Sequence, residues 1–179
     1  MTAELWCWRH PRAEGAAGRC IGRTDLPVDP RRAKRLAHRI RTAARAHGLP
    51  HHVSVSPLAR CRDVGRWLRR WGWVVQVDAR LLEADFGAWD GRPWTQIPWS
   101  EVEAWQADLL HHAPGGGDTL QALATRAQAF ATAHDGPVLL VGHGGWINAL
   151  RTVPPGCTAL AAAAWPPPPR HGKCVVWRR

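Results

Sequence analysis

Four short apolar runs, residues 4–9, 52–56, 73–77 and 137–141, alternate with longer stretches that carry apolar residues at helical spacing. That alternation predicts strands joined by crossover helices, hence an α/β fold with a mainly parallel sheet. A parallel sheet must be covered on both faces, so a three-layer α/β/α sandwich is expected. In such sheets ligands gather beyond the carboxyl ends of the strands. Two of the runs end in histidine: Arg9-His10 follows the first, and Gly142-His143-Gly144-Gly145 follows the last.

The remaining chain follows from its punctuation. Residues 11–29 hold glycines and prolines and predict a long loop. Residues 30 to about 47 predict an amphipathic helix that has proline in its first turn and stops at Gly48. Ser56-Pro57 predicts the opening of a second helix, with serine as cap and proline in first position. Residues 81–92 predict a glycine-punctuated loop. Two further helices are expected over residues 94–112 and 118–134, with a hinge at 114–117 and Asp118 as cap. A short helix should follow Gly145, through about Leu150. Prolines 166–169 break any regular element, and residues 173–177 are expected to return as an edge strand. Nothing in the 179 residues repeats or marks a boundary, so one domain over 1–179 is expected.

Composition narrows the function classes. Lys+Arg 24 against Asp+Glu 14 gives a net charge of +10, which attracts anions. The basic residues are dense at 30–45 and 60–70, where apolar residues also recur at helical spacing. A solvated helix face is expected there rather than a nucleic-acid surface. The five cysteines are scattered without a C-x-x-C pair, which predicts no disulfide framework, no zinc site and a reducing, cytoplasmic setting. Neither a signal peptide nor a membrane span is legible. His51-His52 and His111-His112 have no partners at metal-ligand spacing and are expected at the surface.

WRHPRAEGAAGRCIGRTDLPV, SPLARC, LLEADFGAWDGRPW and VGHGGW occur in this order between Leu5 and Leu150. In order and spacing these blocks resemble the histidine phosphatase superfamily, which includes cofactor-dependent phosphoglycerate mutases and many small phosphatases. Within it, the runs CIGRTDL and EADFGAWDG are most similar to alpha-ribazole phosphatases of cobalamin assembly. The resemblance implies a phosphoglycerate mutase-like fold, in which residues 86–117 form the substrate-covering segment. It implies a metal-independent phosphatase without a cofactor, acting on a small phosphorylated metabolite. The expected reaction is hydrolysis of α-ribazole 5′-phosphate. A broad sugar or nucleotide phosphatase, or an inactive phosphate-binding module, are the rival readings.

The chemistry suits those residue types. A phosphomonoester dianion needs fixed positive donors, and a guanidinium offers a planar fork that stays charged. The resemblance makes Arg9 and Arg60 the phosphate-binding arginines, with Arg19 a further candidate. A neutral imidazole can attack phosphorus and split hydrolysis into two steps, which is the role implied for His10. His143 is expected to bind phosphate and steady the transition state. Glu83, favoured over nearby Asp85, is expected to protonate the leaving group and then activate water. Gly22, Arg23, Thr24 and Trp89 are the expected substrate contacts, although core packing is the rival account of the tryptophans.

The chain departs from the family pattern in three places. Pro11 follows the nucleophile where glycine is common, and proline offers no N–H. EGAAGRC replaces the usual threonine and asparagine, so part of the phosphate pocket must differ. The segment after Leu150 is short and proline-rich. A small phosphatase is expected rather than a mutase, which carries a longer insertion. The sequence leaves a monomer and a homodimer both open.

Overall fold

The computed structural model describes residues 4–179. Ten principal elements follow one another: β1 (Glu4–Arg9), α1 (Pro30–His47), β2 (His52–Val55), α2 (Ala59–Arg70), β3 (Val74–Val77), α3 (Trp99–Ala107), α4 (Leu120–Thr132), β4 (Pro137–Gly142), α5 (Gly144–Thr152) and β5 (Cys174–Arg178). The strands form one sheet in the order β3-β2-β4-β1-β5. The first four run parallel, and β5 closes the edge antiparallel to β1. This is the mixed α/β architecture that the strand–helix alternation predicts.

Sidedness follows from the pleat, because successive side chains of a strand point to opposite faces. Leu5 and Cys7 of β1 face a core with Leu140 and the buried residues of α4 and α5. Trp6 and Trp8 face the other core with Leu139, Val141 and the buried residues of α1 and α2. Two apolar layers thus sandwich the sheet. On α1 the buried residues Ala33, Leu36, Ala37, Ile40 and Ala44 make one stripe, while Arg31, Arg32, Lys34, Arg35 and Arg45 are exposed. Asp29 caps its start by accepting from the Arg31 N–H, and Gly48 ends it at φ 62°, a left-handed conformation that glycine adopts without penalty.

Several helix boundaries differ from expectation, each for a tertiary reason. Helix α2 begins at Ala59, not at Pro57, and its first N–H donates to Asp25 Oδ1 from a distant loop at 2.7 Å. Ser56 is buried at the sheet end, where its N–H bonds to Val141 O and its hydroxyl is taken by His143. The expected helix 94–112 is split: a single 3-10 turn at Trp94–Gln96 precedes α3, because Pro98 keeps Ile97 out of the helical region. Thr119, not Asp118, caps α4 through its hydroxyl. The Asp118 carboxylate instead accepts from Arg23, Arg126 and the Asp85 N–H.

No helix of the described residues is long and apolar enough to cross a membrane. The five cysteines are all free. At the centre of the α4/α5 core, Phe130 is fully buried, edge-on to Trp146 at 5.9 Å, with the Arg80 guanidinium 5.2 Å above its ring. Replacing Phe130 with Ala removes this packing and leaves a cavity. The expected loss is about 3–5 kcal/mol in denaturant-induced unfolding, and a loss below about 1 kcal/mol would show that the layer repacks.

Candidate active site

The register of two central strands creates the site. Arg9 of β1 lies opposite Gly142 of β4. The next residues, His10 and His143, therefore leave the sheet side by side, with ring centroids 5.1 Å apart. Strand β1 ends here because Pro11 has no N–H to extend the ladder. The His10 N–H still bonds to Gly142 O at 3.0 Å.

The His10 ring is almost fully buried, and its Nδ1 lies 2.6 Å from the Pro11 carbonyl. A carbonyl only accepts, so Nδ1 carries the proton and Nε2 keeps its lone pair. Pro11 thus removes a backbone donor and supplies the acceptor that selects the tautomer. Burial, reinforced by Arg60, holds the His10 pKa well below the ordinary value. The ring is neutral at pH 7.

Two guanidinium groups flank it. Arg60 comes from the first turn of α2 and is 1% exposed. Its Nη1 donates to Thr24 O at 2.9 Å, its Nη2 to Gly22 O at 2.5 Å and its Nε to His143 Nδ1 at 3.3 Å. Arg9 donates from Nη1 to Pro169 O at 2.6 Å, while its buried Nε has no partner. Its guanidinium lies over Gly144, where a Cβ would press on it at 3.1 Å. Among the described residues neither arginine has a carboxylate at ion-pair distance. A buried and a half-buried cation held by carbonyls, with donors to spare, make an anion site.

Glu83 faces this site, and Asp85 does not. Glu83 Oε2 accepts from the Gly145 N–H at the start of α5 at 2.9 Å, and Oε1 accepts from the Ala84 N–H at 3.1 Å. A Cβ at Gly145 would stand 2.6 Å from Oε1, so any side chain there would displace the carboxyl group. Burial raises the Glu83 pKa, against the lowering effect of those N–H groups and of Arg60 and Arg9. Asp85 is half-exposed, bonds to the Gly87 N–H and pairs with Arg23.

Arg9, His10, Arg60 and Glu83 open on one cavity of about 440 Å³. Arg19 stands at its exposed rim and donates to Gly91 O. The walls are largely apolar, from Ile21, Phe86, Trp94, Trp105, Leu109 and Leu123, with Asn148 and His171 among the polar exceptions. Asn148 is fully buried: its Nδ2 donates to Pro166 O at 2.8 Å and its Oδ1 has no partner. Among the described residues no group of three or more His, Cys, Asp or Glu could hold a metal ion.

Other expected site residues sit elsewhere. His143 does not line the cavity, because both its nitrogens are engaged: Nδ1 accepts from Arg60 and Nε2–H donates to Ser56 Oγ at 2.8 Å. It stands behind Arg60 and orients it. Gly22, Arg23 and Thr24 are not wall residues either. Asp90 gathers their three backbone N–H groups and the Thr24 hydroxyl, which aims the Gly22 and Thr24 carbonyls at Arg60. Trp89 is buried, packs edge-on to Trp94 and Trp105, and donates its indole N–H to Glu101 at 2.6 Å. It is core, as an indole that finds an internal partner can be. Sequence reasoning missed Asn148 and His171, and no local signal marks either.

The fold is shared with known proteins. A family model described as "Histidine phosphatase superfamily (branch 1)" matches residues 5–160. Glucosyl-3-phosphoglycerate phosphatase of Mycobacterium tuberculosis is 34% identical over 135 residues, 65% of this chain and 58% of that protein. The chain thus spans a little over half the length of the curated relatives it matches. The solved structure of mycobacterial glucosyl-3-phosphoglycerate phosphatase with VO3 superposes with TM-score 0.78 at 25% identity, covering 97% of this chain and 90% of that one. A protein of Thermus thermophilus superposes with TM-score 0.72 at 28% identity, covering 97% and 92%.

The site makes stability depend on pH. His10, His143 and His171 are all held below the ordinary imidazole value, by burial first and by the arginines after it. The unfolded chain therefore takes up protons that the folded chain refuses. The contribution of these histidines to stability is full above about pH 6.5 and is lost as pH falls below it. The melting temperature is expected to drop between pH 7 and pH 5, and to drop less when inorganic phosphate is present. A flat profile would contradict this electrostatic picture.

Proposed function

The chain belongs to the histidine phosphatase superfamily (branch 1), and on that premise we propose that it is a phosphomonoesterase working through a phosphohistidine on His10. The observation that carries this reading is the His10 ring: neutral, with Nδ1–H held by Pro11 O, it offers the Nε2 lone pair beside buried Arg60 and half-buried Arg9, neither of which has a carboxylate partner.

In the first step Nε2 attacks phosphorus, the ester P–O bond breaks, and the departing oxygen takes the Glu83 proton. Burial keeps Glu83 protonated to higher pH than a free carboxyl, which suits an acid. In the second step water attacks the phosphohistidine, gives its proton to the Glu83 carboxylate, and the P–N bond breaks to release phosphate. Arg9 and Arg60 hold the equatorial oxygens through both steps. His143 and Ser56 keep Arg60 in place. This sequence of steps needs no metal. Glu83 also argues against an inactive phosphate-binding module, since anion binding alone has no use for a buried carboxyl.

The proposed substrate carries an apolar leaving group. The cavity beyond the arginines is walled by Ile21, Phe86, Trp94 and Trp105, and Asn148 Oδ1 offers it a buried acceptor. A nucleoside-like alcohol with an aromatic base fits such walls, and α-ribazole 5′-phosphate remains the specific candidate. The mycobacterial relatives favour a second reading, a sugar phosphate such as glucosyl-3-phosphoglycerate.

Steady-state kinetics with chelator present test these statements. His10→Ala should abolish hydrolysis of 4-nitrophenyl phosphate, and Glu83→Gln should lower kcat by about 10²–10⁴-fold on an alkyl phosphate. Full activity in the His10 variant would overturn the nucleophile assignment, and inhibition by the chelator would overturn metal independence. In a panel, kcat/KM for α-ribazole 5′-phosphate should exceed that for glucosyl-3-phosphoglycerate by at least about tenfold. The reverse order would reject the substrate reading and leave the phosphatase reading standing.

A further inference from the structure

We propose that His171 is an additional phosphoryl-pocket residue: as a phosphate dianion enters, its Nε2 takes up a proton and donates a hydrogen bond to the ligand. The inference rests on the reading of the cavity as a phosphate site, and it gives the proline-rich tail a function.

The tail is tied to the site along its length. Asn148 of α5 donates to Pro166 O, and Arg9 donates to Pro169 O. Beyond them the Gly172 N–H bonds to Arg9 O at 2.9 Å, and the Arg9 N–H bonds to Lys173 O at 3.0 Å. Four prolines stiffen the segment between, because each fixes its own φ. The outcome is a strap that carries His171 to the cavity wall, with its ring centroid 5.2 Å from that of His10.

The tautomer is set in the same manner as that of His10. His171 Nδ1 lies 3.2 Å from the His10 carbonyl oxygen. An acceptor there requires a proton on Nδ1, so the neutral ring has its lone pair on Nε2, and a further proton can only be added at that atom. Any group bound at His10 Nε2 therefore has a second imidazole close by.

The surrounding charges explain why the proton arrives with the ligand. Arg9 and His10 face the ring from the end of β1, Arg12 from the following loop and Arg60 from α2. Arg39 of α1 reaches Gly172 beside it, and Glu83 lies across the cavity. Partial burial, and after it Arg9, Arg12 and Arg60, push the His171 pKa down to about 4. A dianion seated on the same arginines cancels their repulsion and attracts the proton. Binding and protonation are then coupled, and each must favour the other equally.

Tungstate is a suitable probe, because it mimics phosphate and stays a dianion at neutral pH. Its binding to the full chain would be measured by calorimetry at pH 7 in two buffers of different ionisation enthalpy, which yields the protons taken up. The wild type should take up about one proton more than His171→Asn. The asparagine amide can still donate to His10 O, so this variant keeps the strap anchored. His171→Gln, whose amide reaches the Nε2 position without titrating, should bind more tightly than His171→Asn yet also lack that proton. Losing a charge-assisted hydrogen bond should weaken tungstate binding in His171→Asn by about 10–100-fold. Equal proton uptake in wild type and both variants, with melting temperatures preserved, overturns the role of His171 alone. Absence of tungstate binding by the wild type overturns the phosphate-site reading on which it stands.

Discussion

Holding two guanidinium groups, one buried and one half-buried, without a carboxylate partner is the constraint around which the carboxyl end of this sheet is organised. A buried charge is costly unless hydrogen-bonded, and here the acceptors are backbone carbonyls from segments far apart in the chain. Arg60 takes Gly22 O and Thr24 O, and Arg9 takes Pro169 O. Carbonyls can hold a cation without neutralising it. The loops that supply them must therefore be fixed by other means, and Asp90 fixes one while the proline strap fixes the other. The positive charge that remains is what makes the cavity attractive to an anion.

That same charge governs the protonation of everything near it. Three imidazoles surround the arginines, and burial together with the arginines keeps each of them neutral. Their neighbours decide what each neutral ring offers. A carbonyl on Nδ1 leaves the lone pair on Nε2 in both His10 and His171, which line the cavity. His143 is the exception, with Arg60 on one nitrogen and Ser56 on the other, so it acts on the arginine. Glu83 responds in the opposite sense: burial favours its neutral form, although two N–H groups and the arginines oppose the shift. One low-dielectric pocket thus favours the neutral form of the bases and of the acid together.

Much of this was legible from residue patterns. Strands β1 and β4 and helix α1 were readable because burial imposes period 2 on a strand and period 3.6 on a helix. Arg9-His10 and Gly142-His143 could be placed at strand ends on that basis alone. Helix caps escape local reading where a polar side chain has a stronger distant partner: Asp118 answers to Arg23 and Arg126, and Ser56 to His143. Trp89, an expected substrate contact, instead gives its indole N–H to Glu101 and packs in the core, the rival account of the tryptophans. His171 could not be found, since only the antiparallel pairing of β5 on β1 returns the tail to the site.

The sequence by itself determined the layered α/β fold and the end of the sheet at which chemistry gathers, because local periodicity records which face of each element is buried. It also supplied the residue types that such chemistry needs. Only the tertiary structure decided which of them meet. Strand register set His10 beside His143, loop closure admitted Glu83 and left Asp85 outside, and the strap brought in His171. The physical reason is that a hydrogen bond between residues far apart in sequence leaves no periodic trace. Its partners become known only once the sheet has fixed their distance.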